Sequence, residues 1–324
     1  MVLLPLLLAT LTAWGICPRA AAVLQDEPQC RLVGQMNLAD PFIYLEGDTY
    51  YAFGTESNDG FRCYRSKDLE HWEQVSGKAR DGFALHREDC FGDKWFWAPE
   101  VYRLGGRYFL LYSAQERPCI AVADDIAGPY KPYGQGVMTD DPNGIDNTLF
   151  IDEDGTVYMY WVRWGLGKGN EIRVAVLSDD MTRVGEQTRC IWASEPWELV
   201  LGRVTEAPTG LRIGDTYYMT YSANDFRSQD YAIGLATAPS PLGPWTKYPG
   251  NPVLKRPGGL YGTGHSSIFR DKEGRLRLVF HAHASASAVG PRKMYITAIE
   301  EVMEDGRLIL KPSGQYITPY LYSR

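Results

Sequence analysis

Asp40-Pro41-Phe42-Ile43-Tyr44, followed at once by Thr49-Tyr50-Tyr51-Ala52-Phe53, is the stretch from which the rest of the chain can be read. Two strand signals are joined there by Glu46-Gly47-Asp48, residue types that tolerate the positive φ of a tight hairpin. The pattern returns at Gly106–Tyr112, Gly155–Trp161, Asp215–Tyr221 and Gly274–Phe280, each a run of tyrosines and apolar residues entered through a turn. The spacing of roughly 50 to 60 residues is that of propeller-like repeats. Just upstream of each run stands a polar residue in an otherwise apolar strand: Asp40, Glu100, Asp146, Glu206 and His265. If each repeat is a blade, the five hold one repeat position and converge on one axis.

The first repeat reads as four strands, Pro41–Leu45, Thr49–Gly54, Arg62–Ser66 and Trp72–Val75. A longer excursion over residues 76–96 follows, of the kind that is often functional in a compact domain. The turn Ala127-Gly128-Pro129-Tyr130 is echoed two repeats later by Pro241-Leu242-Gly243-Pro244-Trp245. No helix-period stretch of useful length appears. The fold class expected is therefore all-β, a five-bladed β-propeller of four-stranded blades in which radial repetition protects the sheet edges. How the termini close the ring is not visible in the sequence.

Bulk properties narrow the function classes. The 324 residues carry 33 Lys plus Arg against 40 Asp plus Glu, with no basic stripe, which argues against a nucleic-acid partner. Aromatic residues make up 13%, a composition that suits strands and also stacking against sugar faces. The apolar run over residues 2–13, followed by Ala20-Ala21-Ala22, reads as a signal peptide over 1–22. It lacks the usual preceding Lys or Arg and is too short for a membrane span. Residues 23–324 are then a single propeller domain, secreted or held in the periplasm or cell envelope, and expected to be a monomer. Cys17 opens the alternative of a lipid anchor, although Trp14-Gly15-Ile16 is a poor lipoprotein cleavage context. Cys30, Cys63, Cys90, Cys119 and Cys190 show no CxxC pair and read as buried free thiols, with a disulfide at Cys30 or Cys90 left open.

An ionised carboxylate in an innermost strand loses its water, so several of them need a use. Close carboxylates push their pKa values apart, which lets one stay protonated as an acid while another stays ionised as a base. Glycoside hydrolysis uses such a pair, and an inverting enzyme spaces them to admit a water.

Ala39-Asp40-Pro41-Phe42, Trp97-Ala98-Pro99-Glu100-Val101, Ile145-Asp146-Asn147-Thr148-Leu149-Phe150, Thr205-Glu206-Ala207-Pro208 and Gly264-His265-Ser266 together resemble glycoside hydrolase family 43. Each motif is short, but all five stand in the family's order over nearly the whole chain after residue 22. The resemblance implies an inverting, exo-acting hydrolase of terminal pentoses, an α-L-arabinofuranosidase or β-xylosidase acting on plant-type oligosaccharides or polysaccharides. It further implies Asp40 as general base, Glu206 as general acid and Asp146 as the residue that tunes and orients the acid. Ala207 departs from the glycine more often found after that glutamate.

Glu100 receives no part in bond breaking and reads as a tie between blades. His265 matches an axial histidine that in relatives lies below the sugar and sometimes touches a water-coordinated calcium. Calcium is thus allowed but required by no ligand cluster in the sequence, and no other cofactor is implied. Arg292 falls where relatives place a substrate-binding arginine, with a plain surface role as the alternative. Trp97, Trp164 and Phe226 are expected at the channel mouth as an apolar wall for the sugar. Two other readings stand beside this one: a non-catalytic sugar-binding propeller, and a retaining fructan-type propeller, whose Asn-Asp-Pro opening is replaced here by Ala39-Asp40-Pro41.

Overall fold

A computed structural model describes residues 30–323 except Leu166 and Lys168; the segment read as a signal peptide, with Cys17, lies outside the described residues. Five sheets are arranged as a propeller, antiparallel except for one parallel pair in the first. Their innermost strands are Ala39–Glu46, Trp97–Leu104, Gly144–Ile151, Thr205–Ile213 and Gly264–Arg270, one for each repeat seen in the sequence. Each is followed by the tyrosine-rich run, now the second strand of its blade, as in Thr49–Thr55 and Arg107–Ala114. Among the described residues there are short 3-10 turns but no α-helix.

Blades cohere through their faces. Five apolar clusters fill the gaps between neighbouring blades, for example Phe53, Phe61 and Cys63 of the first against Leu110, Tyr112 and Cys119 of the second. Fully burying one such side chain contributes on the order of 2 kcal/mol, so each cluster is a substantial share of stability. Much of the excursion over 76–96 joins this packing. Leu85–His86 pairs with Gly60–Phe61, and Phe83, Ala84, Leu85 and Phe96 are buried.

Each innermost strand carries the same irregularity. Its register against the second strand gains one residue, between Ala39 and Phe42, Trp97 and Glu100, Ile145 and Thr148, Glu206 and Thr209, and Gly264 and Ser267. Inside the bulge one residue is left-handed: Asp40, Ala98, Asp146, Ala207 and His265, with φ of 49°, 46°, 55°, 52° and 46°. Asp and His are among the side chains that tolerate this region best, and none of the five is β-branched. In three blades a proline follows, Pro41, Pro99 and Pro208, at the unpaired bulge position where no ladder amide is lost.

The bulge corrects the expected equivalence of the five polar residues. Asp40, Asp146 and His265 share the left-handed position, whereas Glu206 stands one residue before it and Glu100 two residues after it. The extra residue shifts which side chain faces the axis, so counting along the sequence misaligned two of the five.

Ring closure adds to the first blade. Tyr320–Ser323 pairs in parallel with the outer strand His71–Val75, and Arg31–Gln35 pairs antiparallel with Tyr320–Ser323, making this sheet six-stranded. The other four sheets have four strands each. The described cysteines are all free, and Cys30 is exposed and Cys90 half-buried, so burial holds for Cys63, Cys119 and Cys190 only.

Candidate active site

The bulges aim side chains into one axial cavity of about 310 Å³ lined by Asp40, Trp97, Asp146, Trp164, Glu206, Phe226, His265 and Arg292. All eight residues expected to form the site meet there. Sequence reading did not find Ile145, Asn170, Val204, Asp225 and Arg227, which complete the lining. A second cavity of about 410 Å³ shares Trp97, Phe226 and Arg292 with the first and extends past Glu56, Ser57 and Asn58. Trp97 is stacked on Trp95, ring centroids 6.0 Å apart.

Asp40 is buried but surrounded by cationic and donor groups. Arg292 grips it with both terminal nitrogens, Nη1 to Oδ1 at 2.7 Å and Nη2 to Oδ2 at 3.3 Å, and His265 Nδ1 lies 3.2 Å from Oδ1. Burial alone would raise the carboxyl's pKa; Arg292 and then His265 outweigh it and hold Asp40 well below the usual carboxylate range. The Arg292 guanidinium also lies 4.9 Å above the Phe226 ring, so one side chain joins the anion to the apolar wall.

His281 reaches the site from the second strand of the fifth blade, Leu276–Ala282. Its Nδ1 accepts the Asp40 backbone N–H at 3.1 Å. The same nitrogen is 3.3 Å from Asp40 Oδ1, but an Nδ1 that accepts an amide has no proton to give, so this is a contact and not an ion pair. Burial and the Arg292 charge push the imidazole pKa down to about 3, which keeps it neutral. Tyr231 stacks on it at 5.7 Å.

On the opposite side of the axis the balance is reversed. Glu206 Oε1 accepts the Tyr231 hydroxyl at 2.7 Å, and no cation touches it among the described residues. Burial, reinforced by Asp146, pushes Glu206 up to about 8. Asp146 Oδ2 accepts the Ala207 backbone N–H at 3.2 Å, one residue beyond Glu206, and burial with the Asp40 charge pushes it up to about 7. Gly264 is required beside this pair, because a Cβ there would lie 2.1 Å from the Tyr231 ring.

Glu100 does not line the cavity. Tyr102 donates to its carboxylate, lies 2.9 Å from Thr148 Oγ1 and accepts the Leu149 N–H at 3.1 Å, which ties the inner strands of the second and third blades together. As for calcium, no three His, Cys, Asp or Glu side chains gather as a metal-binding group among the described residues.

The profile of Glycosyl hydrolases family 43 matches residues 31–306. The chain belongs to that family. Membership makes it a glycosidase, and the propeller is the fold of its relatives. A solved structure described as an endo-1,4-beta-xylanase from Bacteroides thetaiotaomicron is 37% identical, with a TM-score of 0.82 over 90% of this chain and 99% of that one. An extracellular exo-alpha-(1->5)-L-arabinofuranosidase of Streptomyces chartreusis is 27% identical over 78% of this chain and 82% of its own length. An extracellular endo-alpha-(1->5)-L-arabinanase of Thermotoga petrophila is 32% identical over 167 residues, which span 39% of this chain and 33% of that protein.

Proposed function

We propose that this family 43 member is an inverting, exo-acting pentosidase that removes terminal α-L-arabinofuranose, with β-D-xylose as the second sugar, from plant-type oligosaccharides outside the cell. The observation that carries the reading is the opposite surroundings of two carboxyls on one cavity: Arg292 and His265 beside Asp40 favour its ionised form, while burial of Glu206, with only the Tyr231 hydroxyl in contact among the described residues, favours its protonated form. Asp40 is the general base: it takes a proton from water, and the resulting oxygen attacks the anomeric carbon. Glu206 is the general acid: it gives its proton to the glycosidic oxygen as that bond breaks. Asp146 keeps the acid protonated by its own negative charge. Arg292 and His265 fix the base, and Trp97, Trp164 and Phe226 pack against the sugar ring.

The axial cavity is near the lower end of ligand pockets, which run to about 300–1,000 Å³, and so suits one terminal ring. The adjoining cavity, reached past Trp97 and Phe226, suits the remainder of the chain being cut. The relatives named above include exo and endo enzymes, and this two-chamber arrangement favours the exo reading for this chain.

The test is initial rates on nitrophenyl α-L-arabinofuranoside and β-D-xyloside side by side, with the first-formed anomer followed by proton NMR. The expected result is turnover of the arabinofuranoside with inverted product. Retained configuration would overturn the base assignment, and tight sugar binding without turnover of any pentoside would favour a sugar-binding propeller.

A further inference from the structure

Each bulge leaves one inner-strand amide, that of its left-handed residue, pointing away from its own ladder. Four of these amides are taken by a side chain of the preceding blade around the ring. Ala98 N–H donates to Thr55 Oγ1 at 2.9 Å, Asp146 N–H to Ser113 Oγ at 2.9 Å, His265 N–H to Ser222 Oγ at 2.7 Å, and Asp40 N–H to His281 Nδ1 at 3.1 Å. The four acceptors hold one register position. Each sits opposite the residue just before the left-handed one: Thr55 opposite Ala39, Ser113 opposite Trp97, Ser222 opposite Glu206, and His281 opposite Gly264. The hydrogen bonds form a belt around the channel, each joining one blade to the next.

The fifth member of the belt is missing. The residue opposite Ile145 is Val162, fully buried, which has no acceptor atom. The amide it would have received is that of Ala207, and this amide donates to Asp146 Oδ2 instead. We infer that Val162 is a positioning residue: by breaking the belt at this one place it leaves the Ala207 amide to Asp146, and so points that carboxylate toward Glu206. The inference rests on the proposed role of Asp146 beside the acid. A hydroxyl at 162 would restore the belt and release Asp146 from its only backbone donor among the described contacts. The other groups acting on Asp146 are Asp40 from the first blade, Arg292 from the fifth, Glu206 and Tyr231 from the fourth and Glu100 from the second.

Val162→Thr and Val162→Ala, compared in the full chain, separate the acceptor from the packing. Threonine nearly keeps the shape of valine and adds an acceptor; alanine removes volume and adds none. In Val162→Thr, loss of an amide that favours the ionised form raises the Asp146 pKa. The acidic limb of kcat/KM therefore moves to higher pH, and kcat falls by about tenfold, the scale of one hydrogen bond to a charged group, with little change in KM. In Val162→Ala the limbs stay where they are in the wild type, whatever rate is lost to packing. A Val162→Thr profile that overlays the wild type, or a Val162→Ala profile displaced by the same amount, would overturn the inference. A second readout is independent of turnover: the Ala207 amide resonance in protein labelled with 15N-alanine, followed against pH. It tracks Asp146 in the wild type and goes flat in Val162→Thr. A wild-type Ala207 resonance that ignores Asp146 would sink the inference even in an active enzyme. An inactive protein whose resonance behaves as stated would instead refute the catalytic reading and leave the positioning intact.

Discussion

The two sides of the axial cavity are built from the same piece of backbone and end in opposite chemical states. Where the first and fifth blades meet, Asp40 faces Arg292 and His265 and stays ionised. Where the third and fourth meet, Asp146 and Glu206 face each other without a cation in contact, and both hold their protons to higher pH. The inner-strand bulges are alike, so the strand does not make the difference. It comes from what the later strands bring: the fifth blade supplies an arginine from the turn before Lys293–Glu304, while the fourth supplies a tyrosine just before Ala232–Ala238. A propeller can thus set acid and base independently by varying outer segments around a fixed inner ring.

The comparison breaks most visibly if its two carboxyls are removed one at a time. General acid or base work contributes about 10²–10⁴ in rate. Asp40→Asn is expected to lose that much on every substrate. Glu206→Gln should lose as much on an oligosaccharide but far less on a nitrophenyl glycoside, whose leaving group needs little protonation. Equal losses for both variants on both substrates, measured as kcat, would show that the two sides do not have separate roles.

A smaller effect is expected from Arg292→Gln. Without the guanidinium, burial of Asp40 is no longer outweighed and Asp146 loses a charge that favours its ionised form, so both pKa values rise and the acidic limb of kcat/KM, set by the higher of the two, moves to higher pH. The alkaline limb, set by Glu206 near 8, should move much less. A pH profile with an unmoved acidic limb would show that Arg292 does not hold these carboxyls ionised.

The smallest effect is on stability, and its sign separates the two sides. Glu206 is raised in the folded state, so below pH 4 it is protonated whether folded or not and costs nothing. As pH rises toward about 8 the unfolded chain releases the proton while the folded chain resists, and folding is progressively penalised. Glu206→Gln should therefore raise Tm at pH 8 by roughly 1–2 °C per kcal/mol relieved, and raise it less at pH 4.5. Asp40 runs the other way. Its depressed pKa supports folding above the ordinary carboxylate range and loses that support as pH falls, so Asp40→Asn should lower Tm at pH 7. Melting curves of both variants at pH 4.5, 7 and 8 check the signs.

The blades were legible because each announces itself locally: a turn with Gly or Asp, a tyrosine run, an apolar strand. Five of the eight cavity residues, Asp40, Trp97, Asp146, Glu206 and His265, were legible because short motifs keep inner-strand residues together, as in Ala39-Asp40-Pro41 and Thr205-Glu206-Ala207. The bulge was not, since one extra residue inside a strand leaves no mark in the pattern on either side. That is why Glu206 and Glu100 were read as equivalents of Asp40. His281 and Tyr231 were missed as site residues for a related reason: they lie beyond the motifs and meet the carboxylates only through strand pairing. Ring closure escaped as well, because a parallel pairing of Tyr320–Ser323 with His71–Val75 joins residues about 250 positions apart and leaves no local turn to read.

The strand Tyr320–Ser323 gives the ring an uneven mechanical character. Arg31 is paired directly with Ser323, so the first and last residues of this sheet edge leave it at the same corner. Tension applied there would peel the pairs one after another, as a zipper opens, instead of shearing them all together. The fastening that closes the circle is thus firm against random thermal motion, which must break several contacts at once, and weak against a directed pull at its ends.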